Sequence, residues 1–197
     1  MPPYIGQQSL LGDLLQLEET TEEVARRILF DRTMLTDLYL EQVGVYSKPN
    51  RHPLGQVVSI SYYSIIKISD YQNQIKDRNN KQLTWQSVSE IKSLAFDHLD
   101  ILTDAYTRLQ KTVREHPICF SMLPKKFNLI QLQNFYEIVL NIQLDRRNFR
   151  RKLMGLDLLI DLKEFQDNVP HRPAKLYSFN FKKYFDKKKN GTLNFGI

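Results

Sequence analysis

The chain has 197 residues, of which 42% are hydrophobic and 25% charged, and its formal net charge is +6. This balance excludes an intrinsically disordered or low-complexity protein and suits one large domain or two small ones. A single cysteine, Cys119, excludes a disulfide scaffold and any paired-cysteine zinc or redox site. The sequence shows no membrane-length apolar run and no signal-peptide pattern, so we expect a cytoplasmic protein with no membrane partner.

The positive charge is confined to the last part of the sequence. Residues 1–119 hold 13 Lys/Arg and 15 Asp/Glu, a net charge of −2, whereas residues 120–197 hold 15 Lys/Arg and 7 Asp/Glu, a net charge of +8. Such an asymmetry indicates a near-neutral module joined to one that binds a polyanion, with nucleic acid as the first candidate. A basic solvated surface without a partner would give the same distribution of charge.

A helix and two strands are predicted in the first part of the chain. Thr20 and Glu23 have the spacing of a capping box, and apolar residues then recur at i, i+4, which predicts a helix over about 21–32. The β-branched and aromatic run 57–66 predicts a strand buried on nearly both faces. A shorter strand over 38–45 precedes it.

A second helix is predicted before the charge changes sign. Residues 70–82 are polar and predict a loop, whereas the apolar spacing over 96–115 is helical. His116-Pro117 ends this pattern, because proline disfavours helix at the residue before it. We therefore place a domain boundary between residues 116 and 117.

The elements after this boundary are a helix, a short turn, a basic helix and a hairpin. Asn128 and Asp145 can each cap a helix, the first over 129–140 and the second over 146–153. Phe149 and Leu153 form the buried side of the second helix.

An extended segment begins at residue 158, a polar loop covers 161–172, and residues 174–179 alternate like a strand. This order is typical of a winged helix-turn-helix. The lysine-rich residues 182–189 predict a flexible charged end.

Spaced residues in the first part carry a further signal: Gly12, Glu18, Arg26 and Ile28. Their spacing is similar to the signature of the Nudix hydrolases, in which three carboxylates after the arginine hold Mg²⁺ against a diphosphate. Those three positions are Arg27, Phe30 and Asp31 here. A guanidinium and a benzyl group cannot coordinate Mg²⁺, so the resemblance implies a Nudix domain without catalytic residues, metal or cofactor. The alternative is a hydrolase of the ADP-ribose pyrophosphatase type with an altered metal site.

Other segments resemble one branch of this family. Residues 39–44, 51–62 and 95–98 look like the branch that contains ADP-ribose pyrophosphatases and the Nudix-related transcriptional regulators. The C-terminal match is the specific one, because three segments resemble in order the two helices and the returning wing strand of those regulators. These segments are residues 123–137, 144–152 and 172–177.

The resemblance implies an α+β fold with two domains. Residues 1–116 would form a degenerate Nudix-type α/β/α sandwich for effector binding and dimerisation, and residues 117–197 a winged helix-turn-helix domain with a basic tail. The strands that usually precede the signature are not found before Gly12. Either the sequence begins after them or the N-terminal sheet is incomplete.

In such a regulator the basic helix would enter the major groove of an operator, with the wing beside it. The predicted DNA-binding residues are Arg146, Arg147, Asn148, Arg150, Arg151, Arg172 and Lys175. Two other hypotheses remain for this basic helix: a solvated face with no partner, or a surface that binds protein.

The resemblance also implies a homodimer whose winged helices are displaced by a small effector in the former active-site cleft. The effector would be a sugar such as arabinose or a nucleotide such as ADP-ribose. The candidate effector-binding residues are Arg26, Arg27, Asp31, Arg51 and Tyr62.

Overall fold

The computed structural model of the chain describes residues 4–36, 38–53, 55–66, 83–117, 119–167, 169–170 and 172–193. The chain divides into two compact units, Met1–Arg108 and Leu109–Ile197. This division lies inside a helix and precedes the boundary at 116/117, which stays a prediction. Within the described ranges, no helix is long and apolar enough to span a bilayer.

Helix α1 (Thr21–Thr33) opens the regular structure of the first unit and confirms the predicted helix. The Thr20 hydroxyl accepts a hydrogen bond from the Glu23 amide at 3.3 Å, and the Glu23 carboxylate accepts one from the Thr20 amide at 2.7 Å. This reciprocal pair satisfies two amides that a helix start leaves open. The helix ends at Met34, which adopts a left-handed conformation with φ of 62°.

Strands β1 (Leu40–Tyr46) and β2 (Ser59–Ser64) form an antiparallel pair, in which Tyr46 lies opposite Ser59. Strand β2 lies within the predicted strand 57–66, and β1 overlaps the predicted strand 38–45 and ends one residue beyond it. The predicted burial on both faces is wrong, because most of β2 is half-buried and Ile60 is 39% exposed. Among the described residues β2 pairs with β1 alone, so it is an edge strand.

A short 3-10 turn (Val88–Glu90) precedes helix α2 (His98–Glu115), which confirms the predicted helix over 96–115. The loop predicted for residues 70–82 falls outside the described residues. Phe96 stands before α2 with φ of 57°, a left-handed conformation that non-glycine residues rarely adopt.

The second unit contains the predicted pair of helices. A short helix α3 (Cys119–Met122) is followed by α4 (Leu129–Leu140) and α5 (Arg146–Leu156). Asn128 and Gln131 form a capping box at the start of α4, and the Asp145 carboxylate accepts from the Asn148 amide at 2.9 Å at the start of α5. Both predicted caps are confirmed, and α5 runs beyond the predicted end at residue 153.

A hairpin follows the two helices. Strands β3 (Leu159–Phe165) and β4 (Lys175–Phe179) pair antiparallel, and Phe127 forms an isolated bridge with Tyr177. The polar loop predicted from residue 161 is wrong over its first residues. Strand β3 continues to Phe165 because its polar side chains face solvent while its backbone pairs with β4.

Helix α6 (Phe181–Lys189) is the last described helix. The prediction of a flexible charged end is wrong, because the Asn180 side chain accepts from the Lys183 amide and Tyr184 is 6% exposed. The core of the second unit joins α2, α4, α5, the hairpin and α6 through apolar side chains. Its most buried members are Val113, Phe127, Leu132, Tyr136, Leu153 and Leu158.

Candidate nucleic-acid interface and effector domain

Helix α5 has one apolar and one cationic side. Phe149 and Leu153 are 5% and 1% exposed, and the Phe149 ring packs edge-on against Tyr136 at 5.6 Å. Their i, i+4 spacing places both on one face, so the remaining side chains point outward. The exposed polar side chains of the helix are Arg146, Arg147, Asn148, Arg150, Arg151 and Lys152.

Three arginines of α5 are exposed and form no salt bridge with a described residue. Among the described residues, no carboxylate forms a salt bridge with Arg146, Arg147 or Arg150. A fourth arginine, Arg151, donates to the side-chain oxygen of Asn148 at 2.8 Å.

The wing carries the two other predicted DNA-binding residues, Lys175 and Arg172. Lys175, the first residue of β4, donates to the Asp161 carboxylate at 2.9 Å across the hairpin. The hydrogen bond and charge of Asp161 raise the pKa of the Lys175 ammonium, against the opposing charge of Arg150. Arg172 is exposed in the β3–β4 connection.

In the first unit, Arg27, which the family resemblance places at a carboxylate position of the Nudix signature, is held by the segment before α1. Its guanidinium donates to Glu19 at 2.7 Å, to Asp13 at 3.0 Å and to the carbonyl oxygen of Leu14 at 3.1 Å. The hydrogen bond from Arg27 lowers the pKa of Glu19. The Leu14 amide and then Arg27 lower that of Asp13. The cation is thus compensated within the chain.

The other predicted effector residues are also held by protein groups. Arg51 is 5% exposed and donates to both Asp97 oxygens at 2.8 Å and to the Ser59 hydroxyl at 2.6 Å. The Tyr62 hydroxyl lies 2.7 Å from the hydroxyl of Thr21. The contacts of Arg51 join β2 to the loop that contains Asp97, and the contact of Tyr62 joins β2 to α1. Both Arg51 and Tyr62 therefore have a structural role.

Arg26 lines a shallow pocket beside α1. It pairs with Glu22 at 2.7 Å, donates to the carbonyl oxygen of Leu38 at 3.0 Å and keeps 46% of its side chain exposed. Phe30 lines the same pocket, whose volume is about 220 Å³. This volume is below the roughly 300–1,000 Å³ typical of ligand sites. Asp31 follows on the exposed side of the helix.

The described residues contain no group of three or more His, Cys, Asp or Glu side chains that could hold a metal ion. Sequence reasoning missed Asp13 and Glu19 as partners of Arg27 and Asp97 as the partner of Arg51. Only the opposite charges of these residues were visible in the sequence, and charge alone selects no pair. It also missed α6, although Asn180 before an i, i+4 pair of phenylalanines was a usable cue.

Comparisons with other proteins show the same architecture. A family model described as the NrtR DNA-binding winged helix domain matches residues 119–179. The ADPR responsive transcriptional repressor NtrR of Acinetobacter baylyi is 31% identical over 184 residues, which cover 92% of this chain and 73% of the repressor. The structure of Shewanella oneidensis NrtR complexed with a 27mer DNA matches with a TM-score of 0.74 and 27% identity, covering 90% of this chain and 81% of that chain.

An ADP-ribose pyrophosphatase of Methanocaldococcus jannaschii is similar to about half of the chain. It is 31% identical over 102 residues, which cover 52% of this chain and 59% of the enzyme. The α+β architecture and the cationic α5 define a class, the DNA-binding transcriptional regulators that join a Nudix domain to a winged helix. Within that class the chain belongs to the NrtR family of ligand-responsive regulators, as the family resemblance predicted.

Proposed function

We propose that α5 reads an operator in the major groove and that the β3–β4 wing contacts the adjacent backbone. The observation that carries this proposal is the row of exposed arginines on α5, three of which form no salt bridge with a described carboxylate. Arginine can donate two hydrogen bonds to guanine, and flanking arginines can pair with phosphates. Phe149 and Leu153 hold the opposite side of the helix in the core.

The roles of the individual DNA-binding residues follow from their positions on α5 and the wing. Arg147 and Arg150 are the candidates for base contact, and Arg146 and Arg151 for phosphate contact, with Asn148 as the candidate reader of adenine. Lys175 and Arg172 would bind phosphate or enter the minor groove.

Salt-dependent DNA binding tests this assignment. The probe is a duplex that the wild-type protein enriches from a random pool, compared with a scrambled duplex of the same composition. Arg147→Ala or Arg150→Ala should weaken binding to the enriched duplex by about 1–3 kcal/mol and relax its sequence preference. Arg114→Ala is the matched control, since Arg114 is exposed at the end of α2. Unchanged binding and salt dependence in both α5 variants would show that this helix does not read the DNA.

The Nudix domain of this regulator is proposed to be non-catalytic. Arg27 and Phe30 stand where the signature needs carboxylates, and Arg27 is engaged by Asp13 and Glu19. Hydrolysis by the ADP-ribose pyrophosphatase route remains the second candidate, because the Methanocaldococcus jannaschii enzyme resembles about half of the chain.

An ADP-ribose-type nucleotide is the proposed effector, since the Acinetobacter baylyi relative is named as ADPR responsive. A sugar such as arabinose is the alternative that the family resemblance leaves open. We further propose a homodimer, because a two-fold pair of winged helices would present two α5 helices to two half-sites. Ligand screening by thermal shift separates the two effectors, and light scattering on the DNA-free protein measures the oligomeric state.

A further inference from the structure

Helix α6 is attached to the C-terminal end of α5 by two lysines. The Lys187 ammonium donates to the carbonyl oxygen of Leu156, the last residue of α5, at 2.8 Å. The Lys183 ammonium donates to the carboxylate of Asp157, which is the C-cap residue of α5. Lys187 also lies 4.0 Å from that carboxylate. Both lysines are half-buried, whereas most surface lysines of the unit are exposed.

The electrostatics of this junction require the lysines. The last carbonyl groups of a helix carry partial negative charge, so a carboxylate at that end is unfavourable unless a cation neutralises it. Asp157 is such a carboxylate, and the hydrogen bond from Lys183 is the largest influence that lowers its pKa. Lys187 adds a second charge beside the same group. The two lysines thus stabilise the end of α5.

A second attachment holds α6 independently of the lysines. The Asn180 amide donates to the carbonyl oxygen of Leu158 at 2.8 Å, and Tyr184 lies in the core beside Phe179 at 6.0 Å between ring centroids. Lys182 and Lys188 of α6 are exposed. One face of the helix is therefore anchored, and its other lysines remain in solvent.

We infer that Lys183 and Lys187 are positioning residues for sequence-specific DNA binding: they fix the end of α5, so that its arginines meet the base edges. This inference rests on the proposed role of α5. It concerns a part of the chain beyond the winged-helix match, which ends at residue 179.

Positioning of this kind affects specific binding more than non-specific binding. Base contacts need hydrogen bonds within a few tenths of an ångström of about 3 Å, whereas charge attraction to phosphates tolerates a displaced helix. Without the two lysines, α5 would keep its arginines and its attraction to any duplex. It would lose the geometry that distinguishes the enriched sequence.

The test compares two variants of the full chain with the same change in charge. Lys183→Gln/Lys187→Gln removes the contacts to α5, and Lys182→Gln/Lys188→Gln removes two exposed lysines of the same helix. We expect the first variant to lower the ratio of enriched-duplex to scrambled-duplex affinity about tenfold, the loss of one base contact. The matched variant should leave this ratio unchanged. The salt dependence on the scrambled duplex should be the same for both.

Equal ratios in the two variants would overturn the inference. A smaller salt slope for Lys183→Gln/Lys187→Gln alone would also overturn it, because such a change marks direct phosphate contact. Arg147→Ala, measured in parallel, keeps the two proposals apart. If Arg147→Ala weakens binding and the lysine variant does not, only the positioning role is wrong; if Arg147→Ala has no effect, the role of α5 is wrong.

A double-mutant cycle provides a test that does not depend only on removing the charge of the lysines. Asp157→Asn keeps a residue that tolerates the left-handed conformation but removes the carboxylate. Asp157→Asn and Lys183→Gln should each lower the affinity ratio, and the double variant should lower it no further, because both act through one contact. Additive losses would show that the two residues act separately and would overturn the inference for Lys183.

Discussion

Arg27 donates to Glu19 at 2.7 Å, although the family resemblance places it at the first of the three carboxylate positions of the Nudix signature. In the family pattern a carboxylate at this position holds a cation for the substrate. Here the position supplies the cation, and the carboxylates come from the segment before α1. The charges are thus reversed relative to the family pattern, and carboxylates of the protein itself neutralise Arg27. No unneutralised charge remains at Arg27 for a metal–diphosphate complex.

This reversal predicts that the protein does not hydrolyse ADP-ribose. Incubation with ADP-ribose and Mg²⁺ should release no AMP above the level of a protein-free blank, because Arg27 and Phe30 cannot coordinate the metal. Product separation by chromatography measures the outcome. Asp31→Ala is the decisive control: turnover that this substitution abolishes would assign the domain to the hydrolases.

The core side of α5 predicts a large difference between two substitutions on one helix. Phe149 is 5% exposed and packs on Tyr136, so Phe149→Ala should lower the free energy of unfolding of the second unit by about 3–5 kcal/mol. Met154 is 38% exposed on the same helix, and Met154→Ala should change it by less than about 0.5 kcal/mol. Urea denaturation followed by circular dichroism measures both. Similar losses in the two variants would contradict the orientation of α5.

The caps of this protein were predictable from sequence because they are local. Thr20, Asn128 and Asp145 each bond to an amide within three residues, so a short window of sequence contains both partners. The orientation of α5 was predictable for the same reason, since Phe149 and Leu153 show their shared face in their spacing.

The remaining features depend on residues far apart in the chain. Arg51 and Asp97 are separated by 46 residues, and nothing near either one selects the other. Helix α6 was missed because its lysines suggested solvent exposure, while two of them bind α5 and Tyr184 enters the core. Burial of β2 was overestimated because the sequence of a strand does not reveal whether other elements pack on both faces of its sheet.

Binding of ADP-ribose should raise the thermal stability of the protein, since a ligand that binds only the native state stabilises it. At a free concentration one hundred times the dissociation constant, the gain is about 2.7 kcal/mol. Arg26 is the half-exposed cation beside the α1 pocket, so Arg26→Gln should reduce the gain, whereas Arg32→Gln on the same helix should not. A thermal-shift series with ADP-ribose and arabinose measures this. A gain with arabinose alone would identify a sugar effector.

His98 should make the first unit sensitive to mild acid. Its Nδ1 accepts a hydrogen bond from the Leu10 amide at 3.0 Å, which a proton on that nitrogen would abolish. Burial is the main reason that the pKa of His98 is lowered, and the charges of Arg51 and His52 lower it further against the opposing charge of Asp97. The folded state therefore binds this proton less readily than the unfolded state does.

The sign of the effect follows from linkage. Stability from His98 is fully present above pH 6.5, the ordinary value, and is lost as the pH falls below it, with a slope of at most about 1.4 kcal/mol per pH unit. Thermal midpoints across this range measure the loss. His98→Asn, which keeps an acceptor for the Leu10 amide, should flatten the profile, whereas His116→Asn at an exposed position should not. An unchanged profile in His98→Asn would place the acid sensitivity at another group.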